Sequence, residues 1–312
     1  MLNVIGRRLL IVIPMLFVVA TLTFLLVNLI PGDPVTIILG PDATAEQYDA
    51  LRDTLGLNRP LIERYGDWVA HAVRGDLGES IITGRSVVGT IGERFAVTMS
   101  IAVGAIIVTA TIGILLGLVS ALRGGWLGRA AQVVSVLGVS LPSFWLGILL
   151  VLVFAINLAV LPATGYVQFT DSPAEWLRSL VLPVITIAIA GVAAIARQTR
   201  SAMNEALAKD YVRTLLASGT PRGTIVLKHA LRNASIPVVT SLGFQFIALF
   251  GGAFIIEQVF SIPGMGQLTI SAVNNHDIPV IQGVVLASAA LVIVVNLLVD
   301  LLYAVLNPKV RH

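Results

Sequence analysis

The side chains that most often carry chemistry are few and scattered in this sequence. The four histidines, His71, His229, His276 and His312, form no H-E-x-x-H pair or other close ligand spacing, so no metal site is expected. None of the three lysines, Lys209, Lys228 and Lys309, is followed by Ser or Thr or preceded by the glycine spacing of a phosphate-binding loop. ATP hydrolysis therefore has no seat on this chain. Ser140 and Ser143 flank Pro142 in an apolar setting without an evident His or Asp partner at the same depth, and serine there most often bonds a carbonyl of its own or a neighbouring helix. No catalytic residue and no resident cofactor is expected. What remains are polar groups inside or beside apolar runs: Gln245, Glu257, Asn296 and Asp300. Such groups mark either a translocation path or a hydrogen bond between helices. The sequence leaves both readings open, with the bond favoured for Asp300.

The elements that must position these groups follow from composition. Of 312 residues, 56% are apolar and 12% charged, and no cysteine is present to form disulfides or thiolate sites. The charged share is about half that of an average soluble domain. The net charge of +3 is spread between hydrophobic runs, which suits membrane orientation better than a nucleic-acid surface. The apolar runs approach the ~20 residues a helix needs to cross a bilayer. Six spans are expected, in an all-α polytopic membrane protein, at 9–30, 97–122, 132–160, 180–196, 236–256 and 280–306. The first run is longer than the apolar region of a signal peptide and ends in Pro31-Gly32-Asp33-Pro34 without a small-residue cleavage pattern, so it reads as a retained span. The 132–160 run is over-long and holds Pro142, which predicts a kink, a tilt or an interfacial turn.

Residues 1–30 thus form an N-terminus and first span, 31–94 an aqueous segment, 95–306 the core, and 307–312 a tail. The aqueous segment holds ten acidic and six basic residues, and its stretches 44–55 and 61–73 have the spacing of short surface helices. Basic residues near the spans set orientation. Arg7, Arg8, Arg123, Arg129, Lys309, Arg311 and seven more in 197–235 make thirteen on one side, whereas the two short opposite loops hold only Arg178. Both termini are expected in the cytoplasm and 31–94 outside.

The most informative stretch is the connection 197–235. Met203, Leu207, Tyr211 and Leu215 recur every four residues, Gly219 supplies a C-cap or tight turn, and Pro221 opens the next helix. A helix pair of this kind suits docking into a partner's groove, or is simply a solvated connector. Periodicity alone does not choose between them.

The stretch resembles the cytoplasmic coupling loop of the B-type permease subunit of bacterial dipeptide and oligopeptide ABC importers. The likeness rests on D-Y-V-R-T at Asp210–Thr214, the small-x-glycine at Ala217–Gly219, H-A-L-R-N at His229–Asn233, and Ile236-Pro237. Ser218 and Thr220 stand where that branch commonly has lysine and leucine. Further features are Pro31–Pro34, Gly75-Asp76-Leu77-Gly78, Leu141-Pro142-Ser143-Phe144, Glu257–Gly266 and Asn296–Asn307, so the resemblance covers essentially the whole chain. It implies a type I ABC importer permease fold in a bacterial cell membrane. It also implies a second permease as heterodimer partner, two ATP-binding subunits that carry ATP and Mg, and an extracytoplasmic binding protein or lipoprotein. Tyr211, Arg213, Ala217, Ser218, Gly219, His229, Arg232 and Asn233 would form the ATPase-coupling surface. Similar permeases take dipeptides, oligopeptides, glutathione, nickel complexes or haem. The rivals are an ion-coupled secondary transporter, which normally carries mid-membrane carboxylates or histidines, and a membrane scaffold without transport.

Overall fold

The computed structural model describes residues 2–29, 32–123 and 141–306, with side chains described from 12 to 303 within those ranges. The start of the expected third span (132–140), Arg129, Gly138, Ser140, Pro31 and the tail with Lys309 and Arg311 lie outside the described residues, as do the side chains of Arg7 and Arg8.

Eleven helical elements follow one another among the described residues. They are α1 (Leu2–Val27), α2 (Pro34–Leu39), α3 (Ala45–Thr54), α4 (Leu61–Val73), α5 (Val87–Leu122), α6 (Ser143–Leu150, continuing with π winding over Val151–Asn157), α7 (Pro173–Ala208), α8 (Asp210–Ala217), α9 (Arg222–Val259), α10 (Met265–Asn274) and α11 (Ile278–Leu306). Among those residues the only β pairing is an isolated bridge between Glu79 and Ser86. The chain is all-α, as the length of its apolar runs predicts. Four helices, α5, α7, α9 and α11 through Tyr303, are long and apolar enough to cross a membrane. The described apolar parts of the first and third expected spans, Val12–Val27 and Ser143–Asn157, are shorter.

Several helices outrun the apolar runs that announced them. α5 begins at Val87, ten residues before the expected 97, and α7 runs from 173 to 208 rather than 180 to 196. Hydropathy registers where a helix meets lipid, whereas backbone hydrogen bonding carries the helix on into water. Local chemistry sets the ends. Ser172 caps α7, its hydroxyl accepting the Glu175 N–H at 3.4 Å, with Pro173 in the first turn where its missing N–H costs nothing. Thr44 and Gln47 form a reciprocal capping box on α3. The short helices expected at 44–55 and 61–73 are α3 and α4. In the third run Pro142 is extended (φ −60°, ψ 131°) and a helix starts after it. The helix α10 has no counterpart among the expected elements.

Two compact units divide the chain, one of Met1–Val97 with Pro263–Ile293, the other of Thr98–Ile262 with Val294–His312. In the first, the Asp277 carboxylate, itself buried, accepts the Ser80 hydroxyl and, at 3.2 Å, the Ile81 N–H, fixing the 79–86 turn. Asp33 caps α2 by accepting the Val35 N–H at 3.0 Å and is ion-paired with Arg52. In the second unit, α5 and α7 run parallel in close contact. A Cβ placed on Gly104, Gly113 or Gly117 would lie within 3 Å of Val184, Ile195 or Thr199 respectively. These glycines let the helices approach, as small residues do in membrane bundles. Gly251 and Gly252, which share the sequence pattern, have no such neighbour within 4 Å among the described residues.

Candidate functional site

The connection between α7 and α9 is built from three pieces. The four-residue recurrence from Met203 to Leu215 reads as one helix, but Lys209 is extended (ψ 149°) and divides it into the end of α7 and the separate α8. Asp210, an acidic residue in the first turn of α8, was the available sequence signal for a new start. α8 ends in a Schellman turn: Gly219 has φ +78°, its N–H donates to Leu216 O at 3.1 Å, and the Thr220 N–H donates to Leu215 O at 3.0 Å. Pro221 then caps α9 from just outside it, one position earlier than the sequence suggests. Residues 225–230 of α9 wind as a π-helix, a local widening that ends where H-A-L-R-N begins its last three residues.

A small-residue core holds this hairpin to the membrane helices. Ala202, Met203 and Ala206 of α7 meet Ala230, Ala234 and Val238 of α9, and Ile114, Leu118 and Ala121 of α5 pack against them. The alanines bring the two backbones close, so α7 and α9 meet at their hairpin end as one packed body. Val212 turns α8's inner face into the protein at 8% exposure. Tyr211 is half-buried, and its hydroxyl accepts a hydrogen bond from Asn233 Nδ2 at 3.2 Å, which also donates to His229 O at 3.1 Å.

The structure therefore brings Tyr211, His229 and Asn233 together, while Arg213, Ala217, Ser218, Gly219 and Arg232 lie on the exposed side. Arg213 reaches only Asp210, at 3.8 Å, with both side chains largely in solvent. The Ser218 hydroxyl donates to Leu215 O at 2.9 Å, within its own turn. Two apolar side chains that the motifs did not single out, Leu216 and Leu227, stand exposed at 46% and 68%. No metal-ligating cluster occurs among the described residues.

The polar residues within the spans sit elsewhere in the second unit. Glu257 is fully buried and accepts the Thr98 hydroxyl at 2.5 Å, a hydrogen bond from α9 to α5. Thr98 went unnoticed in the sequence because a threonine in an apolar run looks like any other β-branched residue. Gln245 is half-buried and borders Gly191 of α7, where its amide lies 3.2 Å from the position a Cβ would take. Asn296 and Asp300, one turn apart on α11, are both half-buried.

Residues 113–312 match the family described as binding-protein-dependent transport system inner membrane component, and residues 1–102 match the N-terminal region of such membrane components. A relative from Brucella abortus, named as a peptide transport system permease protein, is 42% identical over 96% of both chains. The glutathione transport system permease protein GsiC of Escherichia coli K12 is 40% identical over 100% of both. Among solved structures, the inward-facing MetNI methionine ABC transporter aligns with 71% of this chain and 96% of its own at TM-score 0.54 and 18% identity, a likeness of fold alone. The chain belongs to the binding-protein-dependent transport system inner membrane components, the ABC transporter permeases of type I fold that work with ATPase and substrate-binding partners.

Proposed function

We propose that this permease forms one half of a heterodimeric pore that imports dipeptides or oligopeptides, opened to each side in turn as two ATP-binding subunits act on the Gly219 hairpin. The observation that carries the coupling is the hairpin's construction. Exposed Leu216 and Leu227 offer apolar anchors, Arg213, Arg222, Lys228 and Arg232 surround them with positive charge, and the alanine-rich core beneath ties the hairpin to α7, α9 and α5. A displacement applied to such a packed body moves whole helices, because interiors at this density transmit strain.

In this reading the chain has six spans in a bacterial cell membrane, with both termini and the hairpin in the cytoplasm, following the thirteen basic residues on that side. The segment 31–94 faces outward and helps dock a binding protein or lipoprotein. The permease itself holds no cofactor, and ATP and Mg belong to the partner subunits. The peptide assignment is supported by the peptide permease of Brucella abortus at 42% identity. Glutathione, itself a short peptide, is the second reading, supported by GsiC at 40%.

The test is uptake by vesicles carrying the assembled complex with its binding protein. ATP-dependent uptake of a labelled dipeptide that persists after collapse of the proton and sodium gradients supports the reading. Uptake that follows the gradient and ignores ATP would replace it with an ion-coupled carrier. Competition between the dipeptide and glutathione decides between the two substrates.

A further inference from the structure

Five arginines of the first unit lie on or beside its short helices, and three of them are paired. Arg52 meets Asp33, Arg59 meets Asp67 at 2.7 Å, and Arg85 meets Glu93 at 2.9 Å. Of the other two, Arg74 is exposed just after α4, whereas Arg64 lies within α4 and is half-buried. Its guanidinium makes no ion pair or hydrogen bond among the described residues, although it is less exposed than Arg59 or Arg85. One turn on, the Trp68 indole N–H is buried and likewise lacks an acceptor among those residues. Residues four apart on a helix share a face, so the Arg64 side chain and the Trp68 indole lie on one side of α4. A donor buried without an acceptor is costly, so the Trp68 N–H marks a place where an acceptor belongs, with the Arg64 charge beside it.

Both side chains line one cavity of about 230 Å³, whose walls include Phe24 at the end of α1, Pro34, Leu57 and Ile278 at the start of α11. Asp67 also borders it, but its carboxylate is engaged by Arg59. Burial pulls the Arg64 guanidinium below its ordinary value, yet arginine remains charged at any physiological pH.

The level of this cavity identifies its occupant. The Phe24 ring packs on Tyr65 and Trp68 with centroids 5.2 and 5.9 Å away, and the Tyr65 and Thr21 hydroxyls share a hydrogen bond of 2.5 Å. Tyr and Trp gathered at the end of an apolar helix mark the membrane–water interface. α4 also exposes Leu61, Ile62 and Val73 at 53%, 77% and 83%, the pattern of an amphipathic helix lying among headgroups. We propose that Arg64 and the Trp68 N–H bind the phosphate of a membrane phospholipid, with its apolar part along Phe24 and Ile278. This site rests on the membrane residence of α1 and is independent of what the pore transports.

The experiment is native mass spectrometry of the full-length chain in mild detergent, with phosphatidylglycerol or inorganic phosphate added in separate arms, alongside the thermal shift each produces. Wild type is expected to retain phosphatidylglycerol and gain stability from it. Arg64→Ala should lower the apparent affinity about fivefold or more, the effect of one arginine near a charged surface. Trp68→Phe keeps the ring and removes only the N–H, so it should weaken binding less and serves where Arg64→Ala folds poorly. Arg85→Ala, which lies outside the cavity, should change nothing. Equal lipid retention by wild type and both cavity variants overturns the proposal. Binding of inorganic phosphate without the lipid overturns the lipid as source. Loss of binding-protein capture with lipid retention unchanged assigns the cavity to an acidic side chain of that partner instead.

Discussion

Gly32 and Gly219 each hold a turn beside a helix at positive φ, +133° and +78°, but their surroundings are opposite. A Cβ on Gly32 would lie 2.1 Å from His276 Nε2, whereas no described residue lies within 4 Å of one on Gly219. The first turn is closed by the chain's own His276, which itself takes a left-handed conformation (φ +52°) at the end of α10. The second has no described residue against the position of its Cβ. Glycine at 32 therefore answers to backbone and packing together, and glycine at 219 to backbone alone. Among the described residues nothing adds a further restriction at 219.

The largest expected effect is at the closed turn. Gly32→Ala meets both a left-handed backbone and a filled space, and should destabilise the chain by on the order of 2–5 kcal/mol, read as a lower thermal midpoint in detergent. Adding His276→Ala frees the space but not the backbone. The double variant should recover the packing part and remain about 1–2 kcal/mol short of wild type. Full recovery would mean that the backbone at 32 is under no constraint, and the contrast with 219 would fail.

One residue on, Asp33 supplies a pH-dependent effect. Burial alone would raise its pKa, but the Arg52 hydrogen bond and charge and the Val35 N–H outweigh it, so the carboxyl sits below its ordinary 3.8. A carboxyl depressed in the folded state contributes stability that is complete above the unfolded pKa and is lost as pH falls through the folded one. Asn caps a helix about as well as Asp, so Asp33→Asn removes the charge and spares the cap. Wild type should exceed Asp33→Asn in thermal midpoint at pH 7 by an amount that shrinks as pH falls below about 4. A difference that stays constant across that range would detach the effect from ionisation.

At the open turn the stability effect is smaller. Gly219→Ala should cost about 1 kcal/mol from its positive φ, with membrane insertion unchanged, and Gly219→Trp should cost scarcely more. Under the proposed coupling, ATP-dependent uptake should nonetheless fall further in the Trp variant than in the Ala variant. Equal uptake by the two would place the ATPase away from Gly219.

The same contrast explains which parts were legible in the sequence. Apolar run lengths located the long helices and helical spacing the short α3 and α4, because lipid burial and helical period both write themselves into residue order. Gly219 as a C-cap was legible because its requirement is local. The closure of Gly32 by His276 was not, since those residues are far apart in sequence and nothing in either neighbourhood announces the other. The Thr98 bond to Glu257 and the partnerless Trp68 N–H were hidden for the same reason. The break at Lys209 was missed because the apolar spacing continues across it, although only the backbone decides whether a helix does.

The smallest effect tests how the hairpin is held. Asn233 donates to both the Tyr211 hydroxyl and His229 O, so Tyr211→Phe removes one acceptor and leaves the amide a partner. At a half-exposed site, where water can replace the lost contact, the cost should be about 0.5 kcal/mol. Ala206→Leu, in the core beneath, should cost about 1–3 kcal/mol because that space is already filled. If Tyr211→Phe instead lowered the thermal midpoint as much as Ala206→Leu, α8 would owe its position to that side-chain bond. The opposite order assigns it to the packed alanines, leaving the Tyr211–Asn233 bond to fix the angle of α8 on α9.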